Sequence, residues 1–158
     1  MSDPSQPAKS PPKEIDPRFE SLANFLESEI PFNKLVGIRT HKLVRGACVL
    51  HLPWKDELIG DPSRPAVHGG VISTLLDTAG GGACFSMLTS PTDRVSTVDL
   101  RVDYLRPGPA CDYFCFAEVI RMGNKVAVAR MELRAGHEAQ DSVLATGTGV
   151  YNVVRRDE

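Results

Sequence analysis

Two features of the stretch HGGVISTLLDTAGGGA, residues 68–83, could do chemistry. The first is its start, because His68, Gly69 and Gly70 lead into a predicted helix whose first backbone N–H groups have no intrahelical partner and lie at the positive end of the helix dipole. Glycine has no Cβ, so a ligand oxygen can approach these N–H groups closely. The helix start is therefore a predicted anion or oxyanion site. Taken alone, His68 is more simply interpreted as a cap that braces the turn.

The second feature is Asp77, a carboxylate among aliphatic neighbours in the same helix. A carboxylate on the buried side of a helix costs stability unless it is paired or used. Asp77 could equally face solvent or bond to nearby backbone. Combined with an oxyanion donor, however, a carboxylate supplies a base or nucleophile, and acyl transfer needs this pair of groups.

The spacing of these two features sets a geometric condition. Gly69 and Asp77 are separated by roughly 12 Å along a helix axis, whereas a reacting atom must lie within about 3–3.5 Å of its attacker. One chain cannot bring both groups to the same carbonyl. If they act together, Asp77 comes from one subunit and the Gly69 N–H from another, at the interface of a symmetric homodimer.

The N-terminal half of the chain predicts a tail, a helix and two strands. Residues 1–15 are rich in proline, serine and charge, which is typical of a disordered tail, so residues 16–155 are expected to form a single domain. Helical spacing of apolar residues predicts a short amphipathic helix over 17–31. Two strands are expected on either side of a turn at Arg45-Gly46.

The central helix is expected to follow a loop over 53–66 and to stop near Ser90. Strands are expected to fill the rest of the chain. In the run VSTVDLRVDYL, alternation places Val98, Leu100 and Tyr104 on a buried face and Thr97 on the opposite polar face. The predicted fold class is α+β, with one long helix on a mostly antiparallel sheet of five or six strands.

Composition and charge exclude several classes of function. The 158 residues are 42% hydrophobic and 24% charged with a net charge of −2, so there is no basic stripe for nucleic acid. No apolar run has the length of a membrane span or a signal peptide, and a cytoplasmic location is expected. The four cysteines form no CxxC pair and the histidines lie far apart, so no metal site is predicted. The helical glycines come too late in their helix, with no lysine after them, for a phosphate loop.

The stretch HGGVISTLLDTAGGGA, followed by TVDLRVDYLRPG, resembles the hotdog-fold acyl-CoA thioesterases of the phenylacetic-acid-degradation type, over about residues 31–151. The resemblance implies a hotdog fold, in which a curved, mainly antiparallel sheet of five to six strands wraps a long central helix. It also implies homodimers whose sheets join, often as a dimer of dimers. The implied substrate is an acyl-CoA, and no cofactor is implied.

The resemblance also implies roles for individual residues. Asp77 would be the nucleophile or general base, and the Gly69 N–H would polarise the thioester carbonyl. His68 would help to shape that corner of the site, and Thr97 matches a serine or threonine that positions the water or the carboxylate.

The substrate-binding residues follow from the same comparison. Asp61 stands where the family commonly has asparagine, and a carboxylate cannot donate the hydrogen bond that an amide can. Asp61 is expected to accept where the family donates, or the site handles its substrate differently. Five further residues are expected to contact the substrate: Gly70, Thr74, Thr78, Arg106 and Arg121. The two arginines could meet the phosphates of coenzyme A, although solvated surface charge is the simpler interpretation of either one.

Two alternative functions stay open. One is a non-catalytic acyl-CoA-binding hotdog protein, which the departure at Asp61 keeps in consideration. The other is an acyl-thioester dehydratase, which uses a differently placed histidine and acidic residue that nothing in this sequence matches.

Overall fold

The computed structural model describes residues 13–136 and 143–156. The α-helices in these residues are α1 (Glu20–Asn24), α2 (Pro31–Val36) and α3 (Gly69–Phe85). Short 3₁₀-helices cover Pro17–Phe19 and Asp56–Leu58, and a π-helix covers Phe25–Glu29. The strands are β1 (Glu14–Ile15), β2 (Arg39–Val44), β3 (Ala47–Leu52), β4 (Ile59–Asp61), β5 (Arg64–Val67), β6 (Arg94–Tyr104), β7 (Tyr113–Met122), β8 (Val126–Ala135) and β9 (Val143–Val154). None of the helices in the described residues has both the length and the apolar character needed to cross a membrane.

Seven of these strands form one sheet in the order β1-β2-β3-β7-β8-β9-β6. All neighbours are antiparallel except β1 and β2, which are parallel. Strands β4 and β5 form a separate hairpin. Helix α3 packs on one face of the sheet, against β3, β6, β7 and β8. The predicted α+β class is confirmed, and the sheet has seven strands rather than five or six.

Helix α3 has one face buried against the sheet and one face that the sheet leaves uncovered. The buried face consists of small and aliphatic residues: Ile72, Leu75, Leu76, Ala79, Gly80, Gly82, Ala83 and Cys84. A Cβ at Gly80 would collide with the Tyr151 hydroxyl and would lie 2.9 Å from Met131 Sδ. At Gly80 the helix and sheet can approach this closely only because glycine stands there.

Strand β6 departs from simple alternation at one position. It pairs with β9, and the register shifts between Thr97 and Asp99, so Val98 is the extra residue of a β-bulge. The bulge reverses which side chains face the helix. Thr97, predicted on the polar face, lies opposite the inward-facing Tyr151. Val98, predicted to be buried, is 65% exposed.

Other boundaries differ from the sequence prediction. The helical segment predicted to end near Pro31 ends at Glu29, and after the extended Ile30 a further helix, α2, begins at Pro31, because proline is well suited to the first turn of a helix. The predicted loop 53–66 contains hairpin β4–β5. Helix α3 ends at Phe85 rather than near Ser90. Glu14 and Ile15, assigned to the tail, pair with β2, and residues 1–12 of that tail lie outside the described residues.

Candidate active site

Asp77 and Thr97 form the centre of one cleft. Thr97 Oγ1 donates a hydrogen bond of 2.8 Å to Asp77 Oδ1, and Asp77 Oδ2 has no partner among residues 13–136 and 143–156. The bond joins the uncovered face of α3 to the bulged segment of β6. Asp77 is half-buried there rather than on the buried side of its helix. A cleft of about 220 Å³ opens beside it, with Thr78 in its wall.

Two residues that the sequence analysis did not single out complete this Asp77 cleft. Tyr151 of β9 is 1% exposed and donates a hydrogen bond of 3.1 Å to the backbone oxygen of Asp77. Burial, with a smaller contribution from the Asp77 charge, raises the pKa of Tyr151 far above its usual value, so it remains a donor. Asn33 of α2 is 3% exposed and donates through Nδ2 to the Leu26 carbonyl. Neither position carries a sequence signal, because only the fold brings α2 and β9 to Asp77.

The start of α3 is built as an oxyanion donor requires. His68 is the N-cap residue, and its Nδ1 accepts a hydrogen bond of 2.9 Å from the Gly70 N–H. An imidazole nitrogen that accepts carries no proton, so the neutral ring is protonated on Nε2. The Gly69 N–H has no partner in the part of the chain that the structure describes. His68 therefore occupies one N–H of the first turn and leaves its neighbour available.

Hairpin β4–β5 and the end of β6 hold this helix start in place. The His68 N–H donates to the Leu58 carbonyl at 2.8 Å. A Cβ at Gly60 would lie only 2.7 Å from His68 Cα, so hairpin and helix start approach each other closely. Tyr104, at the end of β6, donates its hydroxyl to the Gly69 carbonyl at 3.2 Å. Tyr104 had been assigned to a buried face, but it is 55% exposed and lies beside the candidate oxyanion donor.

The helix start borders its own cleft of about 500 Å³, the helix-start cleft, which includes His68, Gly70 and Thr74. This cleft shares no lining residue with the Asp77 cleft. The Thr74 hydroxyl donates to the Gly70 carbonyl at 2.8 Å. A single chain thus separates the predicted residues into two groups: Asp77 lines one cleft, and His68 and Gly70, the neighbours of Gly69, line the other.

The Asp61 carboxylate is fully engaged in hydrogen bonds within the turn between β4 and β5. Its Oδ1 accepts hydrogen bonds from the Ser63 N–H at 2.9 Å and the Ser63 hydroxyl at 2.6 Å, and its Oδ2 accepts from Arg64 at 3.2 Å. These bonds, those from Ser63 first, lower the pKa of Asp61. Asp61 borders neither cleft, so its carboxylate stabilises the hairpin that holds His68.

The two predicted phosphate-binding arginines lie far apart in the fold. Arg106 is exposed and follows β6 two residues after Tyr104, with its backbone N–H bonded to the Leu144 carbonyl at 3.1 Å. Arg121 lies on β7 opposite Val128 of β8, so the two side chains share a face of the sheet. The neighbours of Val128, Ala127 and Ala129, are buried on the other face. Arg121 therefore projects from the sheet face turned away from α3. Of the two, only Arg106 is near the helix start.

Comparison with known proteins identifies the family. A family model described as thioesterase superfamily matches residues 65–141. The chain is 33% identical over 136 residues to the medium/long-chain acyl-CoA thioesterase YigI of Escherichia coli, an alignment that covers 78% of this chain and 86% of that one. A crystal structure of a Shewanella oneidensis protein related to the thioesterase superfamily superposes with a TM-score of 0.75 at 33% identity, covering 85% of this chain and 94% of that one. A thioesterase family protein from Silicibacter pomeroyi gives a TM-score of 0.75 at 27% identity, covering 87% and 97%. The chain therefore belongs to the thioesterase superfamily, and its long helix on a large antiparallel sheet is the hotdog fold of these enzymes.

Proposed function

We propose that this protein hydrolyses acyl-CoA thioesters, with Asp77 as the reacting carboxylate. The observation that carries the proposal is the hydrogen bond from Thr97 to Asp77 Oδ1, which fixes a half-buried carboxylate at a cleft and leaves Oδ2 free to react. The resemblance to acyl-CoA thioesterases of the phenylacetic-acid-degradation type supports the same roles for these residues.

The reaction converts an acyl-CoA and one water into a carboxylic acid and the free thiol of coenzyme A. As a general base, Asp77 Oδ2 takes a proton from the attacking water, the new carbon–oxygen bond forms, and the proton passes to the departing sulfur. As a nucleophile, Oδ2 itself attacks the carbonyl carbon, the carbon–sulfur bond breaks and coenzyme A leaves as the thiolate. Water then hydrolyses the resulting anhydride, which regenerates the Asp77 carboxylate and releases the acid and a proton that the thiolate takes up. In both routes negative charge develops on the carbonyl oxygen, where the free Gly69 N–H would stabilise it.

We propose that each complete site combines Asp77 of one subunit with Gly69 of its partner. The separation of the two clefts within one chain supports this arrangement, since neither cleft alone contains both groups. The uncovered face of α3, which carries Asp77, Thr74 and Thr78, is available to a second copy. Strand β6 has a strand neighbour on one side only among the described residues, and a long edge strand of this kind readily pairs with another chain. Pairs of such dimers are expected to associate further, as the resemblance implies.

The relative YigI suggests the class of acyl group, because its name describes a medium/long-chain acyl-CoA thioesterase. We propose acyl-CoAs of that length as substrates. Arg106 is the better placed of the two arginines to meet the phosphates of coenzyme A, since it lies near the helix start where the thioester carbonyl would bind.

The test is hydrolysis of a series of acyl-CoAs, with the released thiol detected by a thiol reagent. Burial raises the pKa of all four cysteine thiols, and each can react only once per enzyme molecule, so continuous thiol release reports coenzyme A. Asp77→Asn keeps the size and most of the polarity of the side chain but removes the base. We expect it to lower kcat by at least about 100-fold. Unchanged hydrolysis by this variant would refute the proposal, and binding of acyl-CoA without turnover by the wild type would favour a binding protein.

A further inference from the structure

A second cleft adjoins the Asp77 cleft. A cleft of about 510 Å³ lies at the C-terminal end of α3, and Phe25 and Phe85 line both it and the Asp77 cleft. The two rings are tilted against each other with centroids 6.3 Å apart. Phe25 begins the π-helix, a rare element that is often found at functional sites. The aromatic pair is therefore in contact and forms the wall that the two clefts share.

The Asp77 cleft alone is small for the proposed substrates. An engineered cavity of about 150 Å³ holds one benzene molecule. At about 220 Å³, the Asp77 cleft can thus accommodate an acyl group somewhat larger than one ring. A longer tail that reacts at Asp77 needs further apolar space, and the cleft beyond the aromatic pair adjoins it.

The far cleft has the chemistry of a hydrocarbon site. Beyond the aromatic pair its wall contains Phe19, Leu22 and Leu88, all partly buried against the core. Its charged groups already have hydrogen-bond partners, and Arg94 donates to the backbone carbonyls of Pro91 and Asp93 at 2.9 and 2.8 Å. Arg18 is bonded to Asp16 at 2.6 Å, and the buried Asp93 accepts from Arg155 at 3.3 Å. An acyl tail lying in this cleft would meet apolar carbon along the wall and no uncompensated buried charge.

We propose that the distal part of the acyl chain passes over the shared wall at Phe25, which is 39% exposed, into this far cleft, and that Leu88 limits the chain length the enzyme accepts. This inference rests on the proposed hydrolysis at Asp77. Burial of each added methylene would raise kcat/KM by up to about fourfold until the cleft is full. Short acyl groups would end before the aromatic pair and would not contact the residues beyond it.

The experiment measures kcat/KM for even-numbered acyl-CoAs from butyryl to palmitoyl in the wild type and four tryptophan variants. Leu88→Trp fills the far cleft, and Ser21→Trp does so from an exposed position that does not endanger folding. The matched control is Val126→Trp, on a residue that is 46% exposed and lines neither cleft. We expect both cleft variants to lower kcat/KM for decanoyl-CoA by at least about tenfold and to leave butyryl-CoA unchanged, while the control retains the wild-type profile.

Two results would overturn the inference. One is a wild-type chain-length profile in folded, active Leu88→Trp and Ser21→Trp proteins. The other is a selective loss of long substrates in Leu35→Trp, because Leu35 lines the helix-start cleft and its effect would place the tail there. A wild-type protein inactive toward every acyl-CoA would overturn the proposed hydrolysis as well, so the two failures are distinguishable.

Discussion

At the scale of single residues, the candidate site depends on how one carboxylate is held. Asp77 has one oxygen bonded to Thr97 and its backbone carbonyl bonded to Tyr151, so both ends of the residue are fixed. His68 holds the first turn of α3 in the same way, through the Gly70 N–H. Each polar group that orients the site thus has a defined partner. Asp77 Oδ2, proposed to react, and the Gly69 N–H, proposed to stabilise the developing charge, have none among the residues that the structure describes.

Replacement of Thr97 tests the orientation of the carboxylate. Thr97→Val keeps the shape and the β propensity of the side chain but removes the donor. Because this bond orients the reacting carboxylate, we expect its loss to lower kcat by about 10- to 100-fold. The bond is solvent-exposed, so we expect little change in the melting temperature. Thr97→Ser, which retains the hydroxyl, is the control and should stay close to wild type. Equal activity in the valine and serine variants would show that the hydroxyl has no role.

At the scale of elements, the site exists because α3 lies unusually close to β8 and β9. A Cβ at Gly80 would meet Tyr151 and Met131, whereas the nearest atom to a Cβ at Gly81 would be Tyr151 Cε1 at 3.7 Å, an ordinary contact. Alanine substitutions at these two neighbouring glycines therefore distinguish the effect of packing on stability from the effect of helix propensity.

We expect Gly80→Ala to lower the free energy of unfolding by about 1–3 kcal/mol, because the added methyl overpacks the interface between helix and sheet. Gly81→Ala adds the same methyl without a clash and should leave stability unchanged or raise it by up to about 1 kcal/mol through helix propensity. Denaturant unfolding of the two variants measures the difference. A gain of stability in both variants would contradict the close packing of α3 against Tyr151.

The sequence predicts the helices and strands better than it predicts strand irregularities and tertiary contacts. Helix α3 and the strands that follow it have strong periodic signals, and turns at glycine are readily identified. The bulge at Val98 leaves no such signal, because the alternating pattern of β6 continues through it. For this reason Thr97 was placed on the wrong face by alternation and in the site only by resemblance. Asn33, Tyr104 and Tyr151 reach the site through tertiary packing, which no local pattern encodes.

At the scale of the whole molecule, the central claim is that one active site needs two chains. Gly69 is the first residue of α3, where proline is tolerated, and His68 has the extended conformation (φ −64°, ψ 134°) that favours a following proline. Gly69→Pro therefore removes the single N–H that we assign to the oxyanion while preserving the helix. Gly69→Ala retains this N–H, its Cβ would lie 3.5 Å from the Tyr104 ring, and it is the matched control.

The most direct measurement is the activity of a hybrid dimer that pairs an Asp77→Asn subunit with a Gly69→Pro subunit, isolated through two different affinity tags. Each parent homodimer should be inactive. In the hybrid, one site combines both substitutions and the other combines the intact Asp77 of one subunit with the intact Gly69 of its partner. We expect about half of the wild-type activity per dimer. A hybrid as inactive as its parents, or a protein that hydrolyses acyl-CoA as a monomer, would contradict the shared site.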